Sequence, residues 1–419
     1  MKLKCAVLGL SAILLLPAVL AQSASVARFA SYARSSHRSE VSTSKYNDQT
    51  EALTTWRQVA ELTDTSQVIG DETGESVAVR GDTVVVAAPG IAPSGAALVF
   101  VRPGTGWQDM TQTAKLTPSD GAPGGAFGEA VAIGKDTIVV SAQNISTVYL
   151  FVKPADGWKD MTETAKLTAS VHTSRFGLAL AVTGNTVVVG AYGTNQEGSA
   201  YVYVKPKTGW HDMQQTAELL ATEKGDFGLA VAASGPTIAV GAPTARSQSG
   251  LIYLYVKPIG GWKDVGPTAV LTTSDGGGGN FGGALAMTGQ TIISGAAFGG
   301  DARTGEGYIY VKPADGWTDM TETAKLNPPS GAQLFGNSVS IFGNTALVGA
   351  AFTAPGGAAY VFVRPKTGWV TTSTPKATLR SLDNGGGDLF GVSVSMGQVA
   401  VIGASQHNSL RGAAYVFGR

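Results

Sequence analysis

The sequence predicts an all-β protein: a seven-bladed β-propeller of four-stranded blades, closed by an N-terminal strand that completes the last blade. Three observations predict it. The tryptophans, Trp56, Trp107, Trp158, Trp210, Trp262, Trp317 and Trp369, are separated by 51, 51, 52, 52, 55 and 52 residues, and a fixed period of this size marks a repeat architecture. Each period holds four short strand-like runs and no helical periodicity. The composition, 56 glycines against only 14 % charged residues, suits many short strands joined by tight turns.

Each unit opens on a Phe-Gly pair: Phe127-Gly128, Phe176-Gly177, Phe227-Gly228, Phe281-Gly282, Phe335-Gly336 and Phe390-Gly391, with Thr73-Gly74 in the first. A short alternating run follows, as at 129–133 and 338–342. Its small residues, Ala130 and Ala132 or Ser393 and Ser395, let innermost strands crowd around an axis. A tight turn and a β-branched run come next, as at 83–86 and 186–189, ending in Gly-Ala or a close variant. A loop of variable length leads to a third run, as at 97–101 and 200–204. A Pro-containing turn and the Trp then precede a fourth strand; GWKDMTETAKL at 157–167 and GWTDMTETAKL at 316–326 are nearly identical. Residues 56–62 read as a fourth strand without its blade and 414–417 as a third strand without a fourth. Pairing them removes two open edges, which would otherwise invite aggregation. The recurring aromatics are then core residues, each able to bury about 150–250 Å² between neighbouring sheets.

Three segments are expected. Residues 1–21 read as a secretory signal: Lys2 and Lys4, an apolar run from 6 to 20 broken only by Ser11, and a small-residue cleavage site at Val19-Leu20-Ala21. That run is short for a spanning helix, which needs roughly 20 residues. Residues 22–54 are a Ser-rich flexible linker, and 55–419 are the propeller. The single cysteine, Cys5, falls inside the signal. The mature chain would have no disulfide, thiolate metal site or cysteine nucleophile. A secreted monomer (extracellular, periplasmic or at the cell surface) with no transmembrane segment is expected. Lys+Arg and Asp+Glu are both 30, and a net charge of zero argues against a nucleic-acid partner.

The Phe-Gly opening followed by Gly-Ala or Gly-Ala-Pro, as at Gly241-Ala242-Pro243 with Ala87-Ala88-Pro89 a variant, resembles the FG-GAP repeat. The resemblance covers 55–419. It implies the seven-bladed propeller of integrin α chains and many secreted bacterial proteins, used mainly as a platform for binding proteins or glycans. Calcium-binding members carry an Asp/Asn-rich loop between the first two strands. Here only short turns stand there: Gly81-Asp82, Gly184-Asn185, Gly289-Gln290 and Gly343-Asn344. A hard cation needs six or more oxygens, so no calcium site is carried over.

Several motifs have bland readings. Arg80-Gly81-Asp82 is an RGD tripeptide, but its Gly-Asp holds a hairpin-turn position. Gly277-x-Gly279-x-x-Gly282 matches a phosphate-loop pattern, yet no helix follows it. His37, His172, His211 and His407 have no metal-ligand partner at helical spacing. Asp109, Asp160, Asp212, Asp264 and Asp319 each lie two residues after a Trp and read as turn caps. Arg102, Lys153, Lys205, Lys257, Lys312, Arg364 and Arg419 all end the third strand and would form a basic ring on one face. Such cations discourage edge pairing; an anionic partner is the alternative.

The sequence therefore yields no catalytic, cofactor-binding or metal residue, and leaves the ligand-binding residues unassigned. A binding or adhesion module is expected, presenting its variable loops (194–198, 244–250, 298–307 and 406–412) to a protein or glycan. The alternative is a polysaccharide-acting hydrolase or lyase on the same scaffold.

Overall fold

The computed structural model describes residues 55–121, 125–171, 175–193, 198–300, 302–383 and 385–419. The expected signal and linker, with Cys5 and His37, lie outside these residues, as do His172 and residues 194–197 of one variable loop.

Seven antiparallel four-stranded blades succeed one another along the chain, and two of these sheets gain a fifth, parallel strand from the next blade, Met110–Thr111 and Met213–Gln214. Blade 1 comprises Val77–Arg80, Thr83–Ala88, Ala96–Val101 and Ala114–Leu116, innermost strand first. Blades 2 to 6 repeat that order. Blade 7 takes Ser393–Met396, Ala400–Ala404 and Ala413–Gly418, and its outermost strand is Arg57–Thr63. That strand runs antiparallel to Ala413–Gly418, with Leu62 opposite Ala414 and Gln58 opposite Phe417.

The apolar side chains gather into seven clusters, one per blade junction. At each of blades 2 to 7 the repeat phenylalanine meets two aromatics two apart on the third strand. Phe227, for example, lies 5.6 Å from Tyr253 and 6.4 Å from Tyr255, edge-on to both. Blade 1 lacks this triad: Thr73 takes the phenylalanine's place, fully buried, and its hydroxyl has no hydrogen-bond partner among the described residues.

The Gly-Ala half of the motif has its own geometric cause. A Cβ on Gly241 of blade 4 would lie 1.9 Å from the Gly282 carbonyl oxygen of blade 5. The same approach recurs from Gly190, Gly295, Gly349 and Gly403 to the next blade's Phe-Gly or Thr-Gly carbonyl. Ala87 and Ser141 replace this glycine in blades 1 and 2. Only in the blades that follow them does the innermost strand begin at the phenylalanine itself, Phe127–Ile133 and Phe176–Thr183. Both strands carry a break in register just after it. A side chain at this contact thus exchanges a bent Phe-Gly segment for a bulged strand.

The aspartates two after each Trp are not turn caps. They cross to the preceding blade. Asp109, Asp160, Asp212, Asp264 and Asp319 accept the main-chain N–H of Glu61, Lys115, Lys166, Glu218 and Val270, at 2.7–2.8 Å. The next blade's main chain bridges the outermost strand in parallel over only a residue or two, as at Leu62–Met110 and Leu116–Met161, and its carboxylate satisfies the donor beside that bridge. A second staple follows. The Gln58, Gln112, Glu163, Gln215 and Glu322 side chains accept the N–H of Leu382, Thr65, Ser119, Ser170 and Ser274.

Trp56 departs from the period that it helps to define. The other tryptophans but Trp369 stand seven residues before the alanine of the outermost strand, whereas Trp56 stands four before Ala60. Its ring carries the Arg419 guanidinium 4.7 Å away.

Candidate functional site

The alternating strand directions divide the connections between two ends of the propeller. The turn end holds the hairpins between first and second strands and the Pro-Trp turns between third and fourth. The loop end holds the longer connections from second to third strand and from blade to blade.

The basic series lies at the turn end, and its recurrence has a main-chain cause. The N–H groups of Arg102, Lys153, Lys205, Lys257, Lys312 and Arg364 donate to hairpin-turn carbonyls at 2.7–2.8 Å. Their side chains differ in environment. Arg102 pairs with Asp82 at 2.8 Å, Lys205 lies 3.8 Å from Asp136, and Arg419 covers Trp56. The RGD aspartate is therefore engaged within its own blade. His211 is exposed, with Nδ1 3.2 Å from the Gly209 carbonyl oxygen. Gly277 to Gly282 form the connection from blade 4 to blade 5, and no helix follows.

The loop end carries several titratable groups with displaced equilibria. Glu72, Glu75 and Glu129 flank the Thr-Gly and Phe-Gly pairs of blades 1 and 2, where the innermost strands begin. Burial pushes the Glu129 carboxyl up to about 8, and the charges of Glu75 and Glu72 add to the effect while Arg175 opposes it. Burial likewise raises Glu72 to about 7, with Glu75 contributing. Arg175 lies over the Tyr192 ring, 4.8 Å from its centre.

A polar junction recurs at this end between blades. After the outermost strand of blade 1, Asp120 accepts the Tyr149 hydroxyl at 2.7 Å and the Lys166 ammonium at 2.9 Å, both from blade 2. Between blades 4 and 5, Asp275 binds the Tyr308 hydroxyl at 3.1 Å and pairs with Lys325. Burial opposes ionisation of Asp275, but Lys325, Thr273 and the Gly277 N–H together hold its carboxyl at about 2. Between blades 6 and 7 the cation is replaced. Asp383 accepts the Tyr415 hydroxyl at 3.2 Å, and the place of Lys166 and Lys325 is taken by Glu61. His407 joins them, with Nε2 3.4 Å from Asp383 and Nδ1 3.0 Å from Asp388. Spacing could not reveal this group, because Glu61 and His407 lie far apart in the chain. One signal was present: Ala60-Glu61-Leu62 puts an acid where Ala165-Lys166-Leu167 and Ala324-Lys325-Leu326 carry a base.

Exposed aliphatic residues collect around the same corner. Val68 and Ile69, in the connection to blade 1, are 55 % and 63 % exposed, Leu382 is 86 % and Leu410 is 39 %. The Gly70 and Glu72 N–H groups both donate to the Leu410 carbonyl, at 3.1 and 3.0 Å, and Leu382 adjoins Asp383. Among the described residues no helix is long and apolar enough to cross a membrane.

The FG-GAP repeat matches the chain at residues 56–100, 110–151, 161–203, 320–362 and 374–417, together just over half its length. No curated protein matches it. Among solved structures it resembles the WD40 domain from Toxoplasma gondii coronin. The identity is 11 %, the similarity covers 87 % of this chain and 85 % of that one, and the TM-score is 0.52. At that identity the likeness speaks for the fold alone. The repeat matches, the seven blades and the Phe-Gly and Gly-Ala contacts together show that the chain belongs to the FG-GAP repeat family.

Proposed function

We propose that the protein is a secreted, non-catalytic binding module that docks a protein partner at its loop end. The observation that carries this reading is the exposed aliphatic corner of Val68, Ile69, Leu382 and Leu410, on non-equivalent loops held by a rigid ring. Aliphatic rather than aromatic exposure favours a protein over a glycan, since sugars stack on rings. The signal-like residues 1–21 support the secreted part of this reading.

The test is a comparison of three forms of the full chain: wild type, a Val68→Ser/Ile69→Ser/Leu382→Ser/Leu410→Ser variant, and Ile259→Ser, which alters a fully exposed residue at the turn end. Each is incubated with surface-protein extracts and with a glycan array. Loss of protein capture in the corner variant alone supports the reading. Equal capture by all three, or selective glycan binding, overturns it.

A second reading, a polysaccharide-acting hydrolase or lyase, draws on Glu129, raised to about 8 and so largely protonated at neutral pH as a general acid requires, with Glu72, raised to about 7, beside it. It predicts glycan cleavage by the wild type that Glu129→Gln abolishes.

A further inference from the structure

The corner between blades 6 and 7 departs from a charge arrangement that recurs at two other junctions. At the 1–2 and 4–5 junctions, an aspartate following one blade's outermost strand meets a third-strand tyrosine and an outermost-strand lysine of the next blade. Tyr149 stands opposite Lys166, Tyr308 opposite Lys325 and Tyr415 opposite Glu61 in the same register. The third junction thus places a carboxylate where the other two place an ammonium. Glu218 holds this position in blade 3, but it accepts the Ser199 hydroxyl at 3.1 Å. Glu61 faces Asp383: burial first, then the Asp383 charge, pushes the Glu61 carboxyl up, while His407 opposes the shift. No Lys or Arg among the described residues lies within ion-pair distance of Glu61, Asp383 or Asp388.

His407 is oriented for a particular task. It is 15 % exposed, its ring stands edge-on to Tyr415 at 5.9 Å, and Asp388, only 9 % exposed, receives Nδ1. Asp388 is itself fixed by the Gly385 N–H at 2.7 Å. In the tautomer that donates Nδ1–H to Asp388, Nε2 presents a lone pair on the side of Asp383 and Glu61. A carboxylate behind a histidine whose other nitrogen faces further carboxylates is the arrangement that orients imidazole for a metal. One ligand atom from each of Glu61, Asp383 and His407 lies within 4.8 Å of the other two. Asp383 is exposed and Glu61 half-buried, so both can close on an ion.

We propose that Glu61, Asp383 and His407 form a binding site for a divalent transition-metal ion of the zinc class, with Asp388 as the positioning residue for His407. The ion takes the place of the lysine ammonium at the two sibling junctions. One imidazole nitrogen and two carboxylate oxygens suit a tetrahedral ion, with the fourth position open to water or to a donor from a partner. Calcium and magnesium, which require six or more oxygens or a near-complete octahedron, fit this set poorly. The site is separate from the first hairpin turns and does not depend on the partner-docking reading.

The test is calorimetric titration of the chelator-stripped full chain with zinc chloride, and separately with calcium and magnesium chloride. The forms compared are wild type, His407→Ala, Asp388→Asn and Glu61→Lys. The last restores the arrangement found at the sibling junctions, so it is expected to fold with an unchanged or higher thermal midpoint. The site requires one zinc ion per wild-type chain and a thermal midpoint that rises with zinc. It also requires loss of binding in Glu61→Lys and His407→Ala, a roughly 10–100-fold weaker affinity in Asp388→Asn, and no comparable heat from calcium or magnesium. Absence of saturable zinc binding by the wild type overturns the proposal. So does zinc binding that persists unchanged in a folded Glu61→Lys variant.

Discussion

Oδ1 of Asp160 accepts the main-chain N–H of Lys115 at 2.7 Å, and so ties blade 2 to the outermost strand of blade 1. Replacing Asp160 with alanine leaves an edge donor to water and is expected to cost about 1 kcal/mol, read as a lower urea midpoint with an unchanged slope. Asp160→Thr should retain part of the stability. The molecule already makes that substitution, since Thr371 accepts the Lys325 N–H at 3.1 Å in blade 6.

The inter-blade glycine contact gives an asymmetric pair of variants. Gly241→Ala would drive a methyl into the Gly282 carbonyl, and overpacking of this kind costs about 1–3 kcal/mol. Ala87→Gly sits at the equivalent place in blade 1, where the chain has already adopted the bulged alternative, and should cost at most about 1 kcal/mol of backbone freedom. Thermal unfolding of both variants checks the difference.

Glu129 predicts a dependence on pH. Its carboxyl is raised to about 8 in the folded chain, against about 4.3 when unfolded. Between those values the native state keeps a proton that the unfolded state has released. Stability is therefore fully present below about pH 4 and declines as pH rises through 8. Glu129→Gln removes the titration. The variant should match the wild type in thermal midpoint at pH 4.5 and exceed it at pH 9.

Thr73→Val replaces the buried hydroxyl that has no partner among the described residues with a methyl of similar size. Removing an unsatisfied polar group should raise stability by about 1 kcal/mol, seen as a higher urea midpoint.

The architecture was legible because it is written seven times over. The Phe-Gly pairs, the β-branched second strands and the tryptophan period each impose the same local geometry in every unit, so periodicity alone carried the blade count and strand order. The role of the repeated aspartates was not legible. Asp160 lies close in sequence to turn residues and 45 residues from the N–H it binds, and a local reading favours the near partner. The Glu61–Asp383–His407 corner was hidden for a related reason. Its members sit on the strand Arg57–Thr63 and on two loops of the C-terminal part of the chain, and only the pairing of that strand with Ala413–Gly418 brings them together. Repetition reports what the blades share. Chemistry here resides in how one junction differs from its siblings, which shows in the sequence only after the units are aligned strand by strand.

The same pairing has a consequence for synthesis. Residues 57–63 emerge from the ribosome long before their partners at 413–418. At about 5–20 residues per second the delay is tens of seconds. Throughout that interval the growing arc has an uncapped β-edge at its advancing side and an orphaned strand at its rear. A nascent chain halted before residue 413 would expose both, which makes the final strand the one on which escape from aggregation depends.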